Sequence, residues 1–271
     1  MPELPEVETT RRGIELAARN QRIVEFRIHE HRLRWPVDRA LPALLTGQKI
    51  NAVERRAKYL LLRLDRGTLI LHLGMSGNLR VLPQETPRLK HDHFDLCLES
   101  GAALRFNDPR RFGSLHYTTE NPAQHKLLRS LAPEPFDVVF DTDYLFRITR
   151  RRRAAIKQVL MNGRLVTGVG NIYASEALFR ARINPRRAAY RLTRVECSRL
   201  VRSVRAALQA AIRAGGTTLR DYVGADGNPG YFRQKLFVYE RDGKGCRVCA
   251  NLVRKITQGQ RSTYFCPHCQ H

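Results

Sequence analysis

Apolar positions along this chain change their spacing near residue 120. Before it, short β-rich runs occupy 22–30, 49–56, 59–65, 68–73, 79–82, 94–99, 103–107 and 112–117. Gly67, Gly74, Gly77, Pro83, Gly101 and Pro109 punctuate them. Many short strands at such intervals predict a sandwich or a barrel. One helix leads them over 6–18, entered through Pro5. From Asn121 to about Ala214 the pattern turns helical. Val201, Val204, Leu208 and Ile212 repeat at helical spacing, Cys197 extends the stripe, and Gly215-Gly216 ends it. The stretch 131–141, LAPEPFDVVFD, carries two prolines and few periodic residues, and reads as a linker. A long loop rich in Gly and Asp follows at 217–232, and strand-like pieces alternate with cysteines to the end. The expectation is an α+β multidomain protein. It has a β domain over 1–131, a linker over 132–141, a helical domain over 142–232 and a metal module over 233–271.

Charge narrows the partner. Forty-eight Lys and Arg against 25 Asp and Glu give +23, with 40 of the cations Arg. A GC-rich genome explains Arg in place of Lys, but not the net charge. Such a surface attracts polyanions, and Arg makes bidentate contacts to phosphate that Lys cannot. No apolar run reaches the roughly 18 residues of a membrane span. The start, MPELPEVETTRRG, lacks the basic and apolar parts of a signal peptide. A reduced, cytoplasmic location is expected.

Four of the six cysteines form two close pairs, Cys246-x-x-Cys249 and Cys266-x-x-Cys269, with sixteen residues between them. This is the spacing of a closed four-cysteine zinc site, which is structural because no coordination position stays open. His268 and His271 lie near enough to be rival ligands, and Cys97 and Cys197 sit on apolar patterns as core residues. A zinc-held hairpin needs little core and can enter a nucleic-acid groove, with Arg261 placed between the pairs.

Two further segments point to phosphate. Thr167-Gly168-Val169-Gly170 reads as a tight turn, and Asn171 then opens a helix. Backbone N–H groups at a helix start hold anions. Upstream, RITRRRRAAIK reads as a dense cationic helix suited to a phosphate backbone.

At the other end, removal of Met1 before a small residue leaves Pro2 as the terminus. A free α-amine has a pKa near 8, so a useful fraction is nucleophilic at neutral pH. Attack on a sugar carbon expels a base and forms an iminium, after which the strand breaks by elimination. Glu3 is adjacent as a proton carrier, and Glu6 lies one turn on. Taken by itself, this segment also reads as a helix with acids in its first turn. Lys58, in RRAKYLL, sits among β-rich residues. Met75 in HLGMSGNL and Phe112 in NDPRRFGS occupy turns, where large apolar tips suit insertion between base steps.

Taken in order, PELPEVET, RRAKYLL, HLGMSG, KHDH, DPRRFG, GVGNIYASE, GGTT with its PGYF loop, and the terminal cysteines resemble the bacterial formamidopyrimidine-DNA glycosylase family from end to end. The resemblance implies an N-terminal β-sandwich with a leading helix, a helix-two-turn-helix domain and a zinc-finger β-hairpin. It implies removal of oxidised purines, 8-oxoguanine and formamidopyrimidines, from duplex DNA in base excision repair, then strand cleavage by β,δ-elimination. One structural zinc ion is the cofactor. Pro2 would be the nucleophile, Glu3 the general acid, Glu6 the holder of the N-terminus, and Lys58 a phosphate contact beside the lesion. Met75, Arg110 and Phe112 would fill the gap left by the flipped nucleotide. His91, Arg111, Asn171 and Arg261 would grip the backbone, and His72, Gly168 and Gly170 join the DNA-contacting set. The loop at 217–232 would close over the extruded base, because the reacting carbon is shielded in a stacked duplex.

Two departures stand out. Arg220 occupies a loop position where the family often has lysine, and in the finger only Arg261 and the residues just after it fit closely. Two other readings remain. One is endonuclease VIII-like removal of oxidised pyrimidines, although PELPE, Met75 and DPRRFG favour the purine enzyme. The other is a non-catalytic DNA-binding zinc protein, which leaves MPELPE unused. A monomer is expected, since a lesion has no two-fold symmetry, and a nucleoid-associated location follows from DNA as substrate.

Overall fold

The computed structural model describes residues 2–216 and 236–271. These residues form two compact units. One holds Pro2 to Arg129 with Ile212 to Gly216, and the other holds Ser130 to Ala211 with Leu236 to His271.

The first unit is led by α1 (Leu4–Ala18). Val7, Ile14 and Ala18 recur on one face of it and are fully buried. Eight antiparallel strands follow: β1 (Ile23–Ile28), β2 (Ile50–Arg56), β3 (Tyr59–Leu64), β4 (Thr68–His72), β5 (Asn78–Pro83), β6 (Asp92–Leu98), β7 (Ala102–Asn107) and β8 (Ser114–Thr118). They divide into two four-stranded sheets, ordered β1-β6-β7-β5 and β2-β3-β4-β8. One core joins Phe26, Phe94 and Phe106 of the first sheet to Leu60, Leu62 and Leu71 of the second, so the unit is a sandwich and not a barrel. Helix α1 packs on β2 and β5, an edge strand of each sheet, and covers edges that would otherwise stay open. A five-residue helix, α2 (Leu41–Leu45), packs on β1; the strand-like reading of this region passed over it because five residues are too few to show a period.

The second unit contains α3 (Thr142–Thr149), α4 (Ile156–Leu160), α5 (Asn171–Arg180) and all but the last two residues of α6 (Arg194–Arg213), then the hairpin β9 (Arg254–Gln258) and β10 (Arg261–Phe265). In α6, Cys197, Val201, Val204 and Leu208 are buried, as the stripe requires, and Cys97 in β6 is buried too. The cationic stretch RITRRRRAAIK is not one helix. Helix α3 stops at Thr149, and residues 150–155 run as turn and extended chain. The reason is tertiary: Ala155 bridges to Ala188, the Ala189 N–H donates to the Ala154 carbonyl at 2.9 Å, and the Tyr190 N–H donates to the Arg152 carbonyl at 3.1 Å. Pairing with a segment some 35 residues on outweighs the helix propensity of Arg and Ala, which is a fraction of a kcal/mol per residue.

Candidate functional residues of each unit

The N-terminal part is built on the start of α1. Pro2, Glu3 and Glu6 are all buried. The Glu3 backbone N–H donates to Glu6 Oε2 at 2.8 Å, so the Glu6 carboxylate draws the residue after Pro2 onto the first turn. Thr10 Oγ1 donates to the Glu6 carbonyl at 3.0 Å. Behind Glu6 lies Gly216, in the left-handed region at φ +82°; a Cβ there would stand 3.4 Å from Glu6 Cγ and Oε1. The glycine at the end of the helical stripe therefore does a second job: its left-handed backbone lets the chain turn in contact with the Glu6 carboxylate. Lys58 is half-buried in the two-residue turn between β2 and β3, where Ala57 takes φ +56°.

His72 ends β4. Its Nδ1 accepts the Gly74 N–H at 3.0 Å, and its ring lies 4.8 Å from that of Tyr59. Burial, with the nearby positive charges of Lys58 and Arg34, pulls its pKa down to about 4. It is therefore neutral at pH 7, and with Nδ1 accepting, Nε2 carries the hydrogen and serves as a donor.

Two turns carry the candidate wedge. Met75 is half-buried in the turn between β4 and β5. Phe112, 43% exposed, lies between β7 and β8, with the Arg110 guanidinium 5.1 Å from the centre of its ring. Gly74 joins the turns: a Cβ on it would meet the Phe112 carbonyl carbon and the Gly113 nitrogen at 2.4 Å. A residue that sequence reading passed over, Asp108, binds both. Fully buried, it accepts from Ser76 Oγ at 2.6 Å, from the Gly113 N–H at 2.7 Å and from the Arg110 N–H at 3.3 Å. His93 Nε2 lies 2.9 Å from the Asp108 carbonyl. Arg111 (φ +59°) reaches Glu30 at 3.4 Å, and His91 (φ +73°) is half-buried, its carbonyl accepting the Asp108 N–H.

The other part lies in the second unit. Gly168 takes φ +84°, and Gly170 is the N-cap of α5, as the Gly-rich reading requires. Asn171 does more than face outward. Its Nδ2 donates to the Ser262 carbonyl at 3.0 Å and to the Tyr239 hydroxyl at 3.3 Å, and its Oδ1 accepts from Lys157 Nζ at 2.6 Å. Lys157 is buried and also donates to the Ser262 carbonyl (3.1 Å) and Thr263 Oγ1 (2.7 Å). Buried Glu176 accepts the N–H groups of Phe237, Val238 and Tyr239 at 2.9–3.0 Å. Burial pushes its carboxyl pKa up against those bonds. Lys157 and Glu176 lie inside quoted motifs, yet no spacing marks them, because their partners are far away in sequence. Arg261 is exposed at the start of β10, just past a turn in which Gly259 and Gln260 both take positive φ.

The four cysteine sulfurs lie within 4.8 Å of one another, with Cys246–Cys269 at 3.9 Å and Cys249–Cys266 at 3.5 Å. A tetrahedron of zinc–sulfur bonds of about 2.3 Å has edges of about 3.8 Å, so the donor set fits zinc. Neither His268 nor His271 belongs to the cluster. Gln270 fixes one knuckle, accepting the Cys266 N–H at 2.9 Å and donating to the Ile183 carbonyl at 2.9 Å. The zinc is structural: four thiolates fill its coordination sphere. The expected capping loop at 217–232, Arg220 included, lies outside the described residues.

Comparison with known proteins agrees with this geometry. The chain matches the formamidopyrimidine-DNA glycosylase N-terminal domain over residues 1–115, the H2TH domain of the same family over 131–223, and a zinc finger found in FPG and IleRS over 243–271. It is 59% identical to the formamidopyrimidine-DNA glycosylase of Thioalkalivibrio sulfidiphilus, with all of both chains covered. Its fold is similar to that of a Lactococcus lactis FPG mutant bound to Fapy-dG containing DNA (TM-score 0.92, 33% identity, 99% of both chains). It is equally similar to the L. lactis Fpg bound to DNA with an abasic site (TM-score 0.92, 33% identity, all of both chains). The chain belongs to the formamidopyrimidine-DNA glycosylase family.

Proposed function

We propose that this protein excises oxidised purines from duplex DNA and then cleaves the strand at the abasic site, with Pro2 as nucleophile. One observation carries the assignment of roles. Pro2, Glu3 and Glu6 share the buried start of α1, with the Glu3 N–H held on the Glu6 carboxylate. Once Met1 is removed, the Pro2 nitrogen is a secondary amine fixed beside a carboxyl group.

The chemistry follows from that placement. The Pro2 nitrogen attacks C1′ of the damaged nucleotide, Glu3 gives a proton to the opening sugar ring, and the base leaves. The resulting iminium acidifies the C2′ protons. Loss of one expels the 3′ phosphate by β-elimination, and a second elimination releases the 5′ phosphate. Glu6 acts by position, fixing the backbone that presents Pro2 and Glu3. Lys58 and His72 serve phosphate near the lesion, one as a cation and the other as a neutral donor. Met75, Arg110 and Phe112 enter the stack as the nucleotide leaves it. His91, Arg111, Gly168, Gly170, Asn171 and Arg261 hold the backbone of the strands. The four cysteines hold the zinc that shapes the hairpin presenting Arg261. The enzyme works as a monomer on the DNA of the bacterial nucleoid, in the cytoplasm; its bacterial relatives and its charge support this.

Borohydride reduction tests the reading on a duplex bearing one 8-oxoguanine opposite cytosine. The expected product is a permanent bond between DNA and Pro2, located by digestion and mass spectrometry. A bond to Lys58 instead would overturn the assigned nucleophile. Trapping confined to an oxidised pyrimidine would overturn the substrate, and DNA binding with no trapping at all would overturn the enzyme.

A further inference from the structure

The second unit has a cavity of about 520 Å³ lined by Arg150, Arg151, Arg153, Ala188, Tyr190 and Arg191. Four of the six lining residues are arginines, and none is an acid. The acids nearest in the chain are already taken: Asp143 pairs with Arg194, and Glu196 pairs with Arg187 at 2.6 Å. None of the four lining arginines makes an ion pair among the described residues. Like charges at such density repel unless an anion joins them.

The walls are built. The pairing of Arg152 and Ala154 with Tyr190 and Ala189 clamps two separate segments together. Arg150 is held rigidly: its carbon Cζ lies 4.0 Å over the Phe146 ring, and its nitrogens donate to the carbonyls of Phe146 and Leu192 and to Thr149 Oγ1. Arg191 spends only Nε, on the Tyr190 hydroxyl at 3.2 Å, which leaves its terminal nitrogens for a ligand. Arg151 and Arg153 are exposed.

We propose that this cavity is a second phosphate-binding site, which takes the phosphodiester backbone of DNA beyond the lesion-proximal contacts. The lining supplies guanidinium forks, which match phosphate bidentately. It supplies no carboxylate to accept from a cytosine amino group and no amide to pair with adenine, so the lining is matched to the phosphate and not to the base. The site also accounts for the interruption of the cationic stretch: a helix would spread these arginines around its circumference, whereas the turn gathers three of them on one cavity. The proposal rests on the DNA-binding reading above.

Binding of undamaged duplex is measured against salt, with one duplex about one helical turn long and another of about four turns. Each phosphate neutralised contributes about −0.9 to the slope of log K against log salt. For Arg151→Gln, Arg153→Gln and Arg191→Gln combined, the slope on the long duplex should become shallower by about 2–3, with the short-duplex slope unchanged. All three side chains are exposed, and an unaltered melting temperature and zinc content verify the fold. An unchanged long-duplex slope overturns the proposal. So does an equal loss on both lengths, which would assign these arginines to the lesion-proximal footprint. Tripolyphosphate that saturates the wild type but not the variant, with the long-duplex slope unaltered, would mean that the site takes free polyphosphate. Failure of the wild type to bind either duplex would instead sink the DNA-binding reading itself.

Discussion

Ser76 Oγ donates to Asp108 Oδ1 at 2.6 Å, so a hydroxyl beside Met75 is bonded to a carboxylate that also holds the turn of Arg110 and Phe112. Each wedge turn is short and irregular, with little core of its own. Through Asp108 they become one body. In Ser76→Ala the carboxylate keeps its bonds to the Arg110 and Gly113 N–H groups, and the cost in stability should be about 1.5–3 kcal/mol, the range for a hydrogen bond to a charged group. Excision from duplex should fall by about tenfold or more, because a small misplacement of inserted side chains is expensive. Borohydride trapping on a single-stranded abasic site, which needs no wedge, should hardly change. Equal loss on both substrates would show that Ser76 acts elsewhere.

Gly216 tests the support behind Glu6. Gly216→Ala must hold an L residue at φ +82° in the segment that touches Glu6 Cγ and Oε1 at 3.4 Å. Strain of about 1 kcal/mol is expected from the backbone. If Glu6 holds the N-terminus, the rate of iminium formation with preformed abasic DNA should fall, while DNA affinity stays the same. Loss of affinity at a constant trapping rate would contradict that role.

Lys157 should behave as a joint between α4, α5 and the zinc hairpin. Lys157→Met leaves Asn171 Oδ1 and Thr263 Oγ1 without their donor in a buried place. Hydrogen bonds to a charged group are worth about 1.5–3 kcal/mol each, so thermal unfolding should shift down clearly. DNA affinity should drop in Lys157→Met to the same extent as in Asn171→Ala, since Asn171 loses its anchor. A variant as stable as the parent would refute the joint.

Acid should weaken the fold through histidine. The pKa of His116 is pulled down to about 4 by burial, with His125 and Lys126 adding to the effect, and that of His72 is also about 4. Folded pKa values lie below the unfolded value of about 6.5, so the folded state resists protonation. Their contribution is complete above pH 6.5 and is lost as pH falls toward 4. Melting temperature should therefore decline across that window, and His116→Asn should flatten the decline. A profile identical to the parent's would rule out His116 as a source.

Chelation should release one zinc per chain and disable DNA binding without touching the sandwich, whose core contains no cysteine ligand. Structural zinc contributes on the order of 10 kcal/mol to a small module, so Cys266→Ser should leave the hairpin unfolded at neutral pH. Metal analysis and the salt slope of binding are the readouts; full affinity in metal-free protein would contradict the assignment.

Sequence by itself determined whatever depends on near neighbours. The eight strands, the leading helix and the stripe of α6 are periodic, and period is a local property of the chain. The zinc ligands come as two close pairs, and Pro2, Glu3 and Glu6 lie within one turn. Tertiary structure decided what depends on distant partners. Lys157 meets Ser262 and Thr263 across 105 and 106 residues, and Asp108 meets Ser76 across 32. No spacing rule marks such pairs, because a buried polar group finds its partner only when the core brings it there. The same cause broke the cationic helix: the helix bonds lost after Thr149 were replaced by backbone pairing with residues 188–190, and only the packed second unit makes that exchange favourable.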